Sequence, residues 1–476
     1  MNERSETAGA NTGTGTQSPD AVQDEIYAKH KKVYAREVHG IFARLRLLGV
    51  AVLLGLYYGM AWLQWGGRQA VLFDLPHRKF HILAWTFWPQ DFFYLALLLI
   101  IAAVSLFFFT ALAGRLWCGY ACPQTVWTEV FMWIDRKIEG DRSAQMKLDQ
   151  SPWTGRKLRI KATKHAVWIL FAAWTGFTFV GYFTPIRELW HSLWSASLGP
   201  WETFWIVFYS FATWGNAGFL REQVCIYMCP YARFQSAMFD RDTLIISYDE
   251  NRGEPRGSRK KNVDHHAKGL GDCIDCTLCV QVCPTGIDIR NGLQYQCIGC
   301  AACVDVCDQV MDKMGYPKGL IRYTTENAMQ GRPAHILRPR VVVYALLLVT
   351  IMSALGWALA HRVPMELDII RDRNALYRET PQGLVENVYT LKVVNMQDKP
   401  ERYRLSVSGL PGLKLINRLG IITVPAGEVL PVGVQVQIDP VELKQPSNDI
   451  YFTLETLDGT PLKITEPSRF IGPVIH

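Results

Sequence analysis

Residues 92–114 carry no charged side chain, and an apolar run of that length buries itself either inside a bilayer or deep in a large core. Four more stretches, 47–65, 166–184, 203–220 and 341–360, reach or nearly reach spanning length. The run at 203–220 is the weakest, being short and carrying Asn216 near its end. A buried soluble helix is the alternative for any one of them, but several in one chain favour a bilayer. A bundle of about five transmembrane helices is therefore expected. The 16 tryptophans suit side chains that sit at membrane interfaces.

Basic residues set the expected orientation. Lys29, Lys31, Lys32, Arg36, Arg44 and Arg46 lie before or at the start of the first run, and ten more, from Arg115 to Lys164, fall between the second and third. The loops after the first and third runs hold only Arg68, Arg78, Lys79 and Arg187. The positive-inside rule puts the N-terminus and residues 221–340 in the cytoplasm and residues 361–476 outside. These loops account for the net charge of +7, so no nucleic-acid partner is expected. Residues 1–22 are rich in Gly, Thr, Ser, Asn and Ala and are expected to be disordered. No apolar core follows the start, so a cleavable signal peptide is not expected.

The tail is patterned as strands at 388–394, 403–407, 420–424, 432–438, 451–455 and 462–465. Turn signals at Pro411-Gly412, Ala426-Gly427 and Asp458-Gly459 separate them. That spacing predicts an all-β sandwich of immunoglobulin type without a disulfide, serving as a docking module.

All twelve cysteines lie between Cys118 and Cys307, which suggests reduced thiols used as ligands rather than an exported disulfide framework. Eight form two runs in register. Cys273, Cys276, Cys279 and Cys283-Pro284 follow the spacing Cys-x2-Cys-x2-Cys-x3-Cys, and Cys297, Cys300, Cys303 and Cys307 repeat it. This is the bacterial ferredoxin pattern, in which three close thiolates wrap one cubane and the fourth ligates the other. Cys273, Cys276, Cys279 and Cys307 are thus expected to hold one [4Fe–4S] cluster, and Cys297, Cys300, Cys303 and Cys283 the second. Zinc also takes Cys-x2-Cys pairs but needs no third Cys at the same interval. Asp308 follows Cys307 where a proline is usual, which leaves the shape of that loop open.

Two adjacent clusters store and pass single electrons. No Gly-x-Gly-x-x-Gly turn follows a strand, and no Cys-x-x-Cys-His is present, so neither a nicotinamide or flavin site nor covalent haem is expected. Electrons must come from an unidentified cytoplasmic donor.

The other four cysteines form a second repeat, Cys118-x3-Cys122-Pro123 and Cys225-x3-Cys229-Pro230. Asp135 and Asp242 each lie thirteen residues beyond the second Cys. The halves read as duplicated hairpins that bring the motifs together. Residues i and i+4 share a face, so both thiols of a motif can bind one ion. The proline starts a new helix, whose positive end is expected to lower the thiol pKa of Cys122 and Cys229. Soft thiolates select Cu(I), and Met228 offers a thioether. Packed apolar cysteines or a disulfide-exchange pair are the alternatives. His77, His81 and His265-His266 read as loop or surface histidines, and the basic run 252–261 as a solvated linker near anionic lipid.

With both cysteine sets in view, nearly everything after residue 40 resembles the FixG/RdxA/CcoG-type cytochrome c oxidase accessory proteins. The resemblance implies a role in assembling the cbb-type oxidase, with partners among its assembly machinery and copper-handling proteins. It further implies reduction of Cu(II) to Cu(I), with Cys118, Cys122, Cys225 and Cys229 as the copper site. A copper-binding scaffold without catalysis and a quinol-oxidising polyferredoxin subunit are the rival readings. The expected architecture is a multi-domain protein of the bacterial inner membrane. Its parts are a cytoplasmic N-terminal segment (1–38), a four-span domain (39–240) and a ferredoxin-like α+β domain with two clusters (241–338). A fifth span (339–362) and a periplasmic immunoglobulin-like sandwich (363–476) complete it.

Overall fold

The computed structural model describes residues 32–473 apart from 262, 263, 265, 373, 398, 417–419, 459 and 460. The segment expected to be disordered, 1–22, and His265 lie outside the described residues.

Among the described residues three helices are long and apolar enough to cross a membrane: Ile41–Met60, Pro89–Ala113 and Pro339–Ala360. The first, α1, spans Ile41–Met60, and the regular part of the second, α2, spans Phe92–Ala113. Two further spans were expected, and the reason they fall short is visible. The run at 166–184 lies in the later part of a helix, Gly155–Val180, whose early turns carry Arg156, Lys157, Arg159, Lys161 and Lys164. The run at 203–220 is divided. Its α-helix, Pro200–Thr213, stops after 14 residues, about 21 Å of the roughly 30 Å core, and π-helical turns continue from Trp214 to Leu220.

Short elements follow α2: α3 (Leu116–Tyr120) and α4 (Pro123–Glu139). The helix Gly155–Val180 is α5, Pro200–Thr213 is α6, Pro230–Met238 is α7, Ala302–Met314 is α8 and Pro339–Ala360 is α9. Prolines occupy the first turns of α4 and α7, where the missing N–H is no loss.

Residues 241–338 form a small α+β unit. Strands β1 (Ile245–Tyr248) and β2 (Ile321–Thr324) pair antiparallel, and their buried Ile246, Tyr248 and Ile321 share a core with Met311, Val304 and three cysteines. The buried carboxylate of Asp305 on α8 caps α1, accepting from the N–H groups of Phe42 at 3.2 Å and Ala43 at 2.7 Å. Any side chain at Gly40 would strike Asp305.

The tail is a two-sheet sandwich. Its strands are β3 (Met365–Arg371), β4 (Val385–Asn395), β5 (Glu401–Ser408), β6 (Lys414–Ile416), β7 (Ile421–Val424), β8 (Val429–Ile438), β9 (Ser447–Thr456) and β10 (Lys463–Ile471). One sheet runs β6-β8-β4-β3 and the other β7-β5-β9-β10, all antiparallel. Alternate residues of β5 face inward, and Tyr389, Tyr403, Phe452 and Phe470 fill the space between the sheets. β3 and β6 were not expected from the sequence. β3 mixes charges into its apolar residues, and β6 is three residues long.

The cluster unit and the sandwich lie at opposite ends of the three apolar helices. At one end Asp305 caps α1, and Arg338, just before α9, donates to the carbonyl of Ala111 at the end of α2. At the other end Arg362 pairs with Asp91 at 2.5 Å, joining the far end of α9 to the start of α2.

Candidate redox site

Two small cavities of equal size, about 20 Å³ each, sit side by side in the cluster unit. Cys273, Cys276, Cys279 and Cys307 line one, with Tyr248, Arg290 and Met311. Cys283, Cys297, Cys300 and Cys303 line the other, with Ile246, Ile287 and Ile298; Cys279 touches both. The lengthwise exchange arises because Cys307 rides on α8, which starts between Cys300 and Cys303 and carries the later thiol across to the first cavity. All of the described cysteines are free thiols.

The linings fit a thiolate-held cluster. Burial, before all else, pushes Cys297 and Cys307 up to about 12 and Cys279 up to about 11. Such thiols stay neutral in these pockets unless a metal displaces the proton. Among the described residues no three His, Cys, Asp or Glu side chains close on a single ion-sized point. Asp308, where a proline is usual, keeps α8 unbroken, and its carboxylate accepts the N–H of Gly319 at 2.9 Å.

The two Cys-x3-Cys-Pro motifs close with the same bond, although the first lies on an α-helical turn and the second on a π-helical one. In each, the N–H of the second cysteine closes on the carbonyl five residues back, Cys122 on Trp117 at 2.9 Å and Cys229 on Val224 at 2.8 Å. The four thiols are electrostatic neighbours: Cys118 feels Cys122 and Cys225, and Cys225 feels Cys122 and Cys229. Asp135 and Asp242, equivalent in sequence, are not equivalent here. Asp135 is buried and pairs with Arg221 at 2.5 Å, whereas Asp242 accepts from Asn327 at 2.8 Å near the surface.

The lowering expected from the helix end does not occur at Cys122. Burial dominates and pushes Cys118 up to about 12 and Cys225 up to about 11. At Cys122 burial likewise outweighs the N–H groups of Thr125 and Gln124. Two features missing from the sequence reading favour a charged thiolate–metal species all the same. The Nε of Arg115 and the Nε2 of Gln235 are buried with no partner among the described atoms. Gln235 already accepts from the Cys118 thiol at 3.3 Å, and the same amide turned over would donate to a thiolate.

The membrane-edge motif and the second cluster loop are in direct contact. Arg115 donates to the carbonyls of Tyr295, Cys297 and Ala232, and Arg46 to that of Cys300 at 2.5 Å. A Cβ on Gly119 would lie 2.9 Å from the carbonyls of Ile298 and Gly299. Only a glycine between Cys118 and Cys122 allows so close an approach. His77 and His81 take no part. His77 pairs with Asp74 at 2.8 Å, and His81 lies 3.0 Å from the Thr86 hydroxyl.

This fold and these linings define a membrane-associated iron–sulfur protein with a dicluster unit and an immunoglobulin-like module. Residues 220–326 match a family described as a 4Fe-4S dicluster domain, and 95–140 one described as a 4Fe-4S binding domain. Residues 355–473 match the IG-like fold at the C-terminus of FixG. The chain is 41% identical over 430 residues to Protein RdxB of Cereibacter sphaeroides, covering 87% of this chain and 90% of that one. It is 38% identical over 427 residues to nitrogen fixation protein FixG of Rhizobium meliloti, covering 82% of each. A FixG-related protein from Vibrio parahaemolyticus, solved as a crystal structure, is 36% identical over 23% of this chain and 97% of its own, with a TM-score of 0.22. The chain belongs to the FixG family of 4Fe–4S electron-transfer proteins.

Proposed function

We propose that this protein reduces Cu(II) to Cu(I) at Cys118, Cys122, Cys225 and Cys229, in the service of cbb-type cytochrome c oxidase assembly. The observation that carries the reading is Arg115. One buried guanidinium bonds the second cluster loop and has Cys118, Cys225, Cys229 and Cys297 among its electrostatic neighbours. Bound in the twin cavities, the clusters supply single electrons, with Cys273, Cys276, Cys279 and Cys307 holding one and Cys283, Cys297, Cys300 and Cys303 the other. The chain itself holds the receiving thiols, each partly buried, against that loop and balances the negative charge of metal-bound thiolates.

The sides follow from charge. The cluster unit and the basic loops share the cytoplasmic end of α1, α2 and α9, and the sandwich occupies the opposite, periplasmic end. We take α5 and α6, with its π-helical continuation, as two further membrane-embedded segments, packed against each other in the antiparallel hairpin that carries the second motif.

In cells lacking the natural protein, wild type should restore oxidase activity. A variant with Cys118→Ser and Cys225→Ser should not, except in excess copper. Full restoration by that variant would overturn the role of these thiols.

A further inference from the structure

A cavity of about 530 Å³ opens beside the redox site, between the N-terminal segment, α1, α4 and the second cluster loop. Cys225 of the membrane-edge set and Cys300 of the second cluster loop both line it. Its size is that of a small-molecule site, far more than a bare metal ion requires. Its charge is cationic: Arg36, Arg44, Arg46, Arg136 and Arg221 line it against three glutamates. One glutamate, Glu129, is already engaged by Arg136 at 3.5 Å. Arg221 is held by Asp135, and Arg46 by the Cys300 carbonyl. Arg36 and Arg44 are exposed.

With Arg36 and Arg44 exposed and two other arginines paired, the excess positive charge of the lining favours an anion over a free cupric ion. We infer that the cavity receives copper as a small anionic complex whose ligands bear carboxylates, with Arg36 and Arg44 drawing it in and Cys225 next to receive the metal. The inference rests on the copper reading of the four thiols. Each cupric ion takes up one electron, which is what one 4Fe–4S cluster gives up, and the released ligand leaves with its carboxylates unchanged. Placing such a complex here sets the metal beside a thiol and the cluster loop at once. The arginine side chains meet carboxylates through two N–H groups each, which favours planar acids over neutral ligands.

The test uses full-length protein in detergent with Arg36→Glu and Arg44→Glu, singly and together. An acid at position 44 sits in the first turns of α1, where negative charge is tolerated, so folding is preserved. Iron content and the oxidised visible spectrum verify this. In the first arm, oxidised protein is dialysed against the inert anion Co(III)–EDTA and the inert cation hexaamminecobalt(III). Wild type should bind the anion, the double variant should bind it about tenfold more weakly, and neither should favour the cation. Equal binding of the anion by both proteins overturns the inference, whatever the chemistry of the thiols.

In the second arm, reduced protein is mixed with Cu(II)–nitrilotriacetate, an anion, or Cu(II)–tris(2-aminoethyl)amine, a cation. The double variant should slow cluster re-oxidation by the anion about tenfold and leave that by the cation unchanged or faster. Equal slowing of both would mark a structural defect and overturn the inference. If neither complex re-oxidises wild-type clusters, the copper reading itself fails, and the dialysis arm still decides whether the cavity is an anion site.

Discussion

Arg115 Nη1 donates to the carbonyl of Cys297 across 3.1 Å, tying the end of the second apolar helix to the loop that lines the second cavity. The residue is 7% exposed, and the same guanidinium reaches Ala232 on the duplicated hairpin. Charge and position are both fixed at the junction of the two cysteine sets. Arg115→Gln removes the charge and strands buried carbonyls, at about 1–3 kcal/mol for the bonds lost. In an EPR-monitored redox titration the second cluster should become harder to reduce and the first should keep its potential. Arg115→Lys, retaining the charge, should restore most of the difference.

Gly119 makes the closest backbone approach between the motif and the cluster loop. Gly119→Ala places a methyl group 2.9 Å from two carbonyls and 3.0 Å from Cys300 Cα, so one backbone must move, at about 1–3 kcal/mol. The second cluster should be lost or spectrally altered while the first stays intact. Gly155→Ala, with open space at its Cβ, should leave both clusters and thermal stability unchanged.

The crossed thiol assignment makes a pairwise prediction. Cys273→Ser and Cys307→Ser, 34 residues apart in sequence, should deplete the same cluster. Cys283→Ser and Cys297→Ser should deplete the other. Each should remove about half of the iron, and EPR of the reduced protein should separate the two classes. Loss of different clusters by Cys273→Ser and Cys307→Ser would contradict the assignment.

The spacing groups Cys307 with the first three cysteines, and in the structure α8 carries it to the cavity they line. The sandwich strands were legible where alternation was clean, as at 401–408, and illegible at β3, where Glu366 and Asp368 interrupt the apolar residues. Arg115 and Gln235 could not be found in the sequence. One basic residue at a membrane edge looks like any topology determinant, and only the fold shows that its guanidinium is buried between three carbonyls. The thiol pKa was misjudged at Cys122 for a related reason. Helix position is visible in sequence, whereas burial, which outweighs it, is not.

Asp149 anchors the N-terminal segment to the stretch between α4 and α5, contacting Lys32 and Tyr34 at 2.7 Å and Lys161 at 2.5 Å. Burial raises its pKa, but the bonds from Lys161, Lys32 and Tyr34 outweigh burial and hold it well below the usual carboxylate range. A depressed pKa stabilises the fold above the unfolded carboxylate value near pH 4, and that stability is lost as pH falls further. Wild type should therefore lose on the order of 1 kcal/mol more than Asp149→Asn on acidification through that window, read as a larger fall in Tm. Identical pH profiles would show that the contact contributes nothing.

The central claim is that electrons held at the eight ferredoxin cysteines reach copper at the other four. The most direct measurement is anaerobic rapid-freeze EPR of reduced, desalted protein mixed with stoichiometric Cu(II). The account predicts that the reduced-cluster and cupric signals disappear together, one for one, and that the Cys118→Ser, Cys225→Ser protein retains both. Reduced clusters that persist beside Cu(II) in the wild type would contradict it, as would equal loss of both signals in that variant.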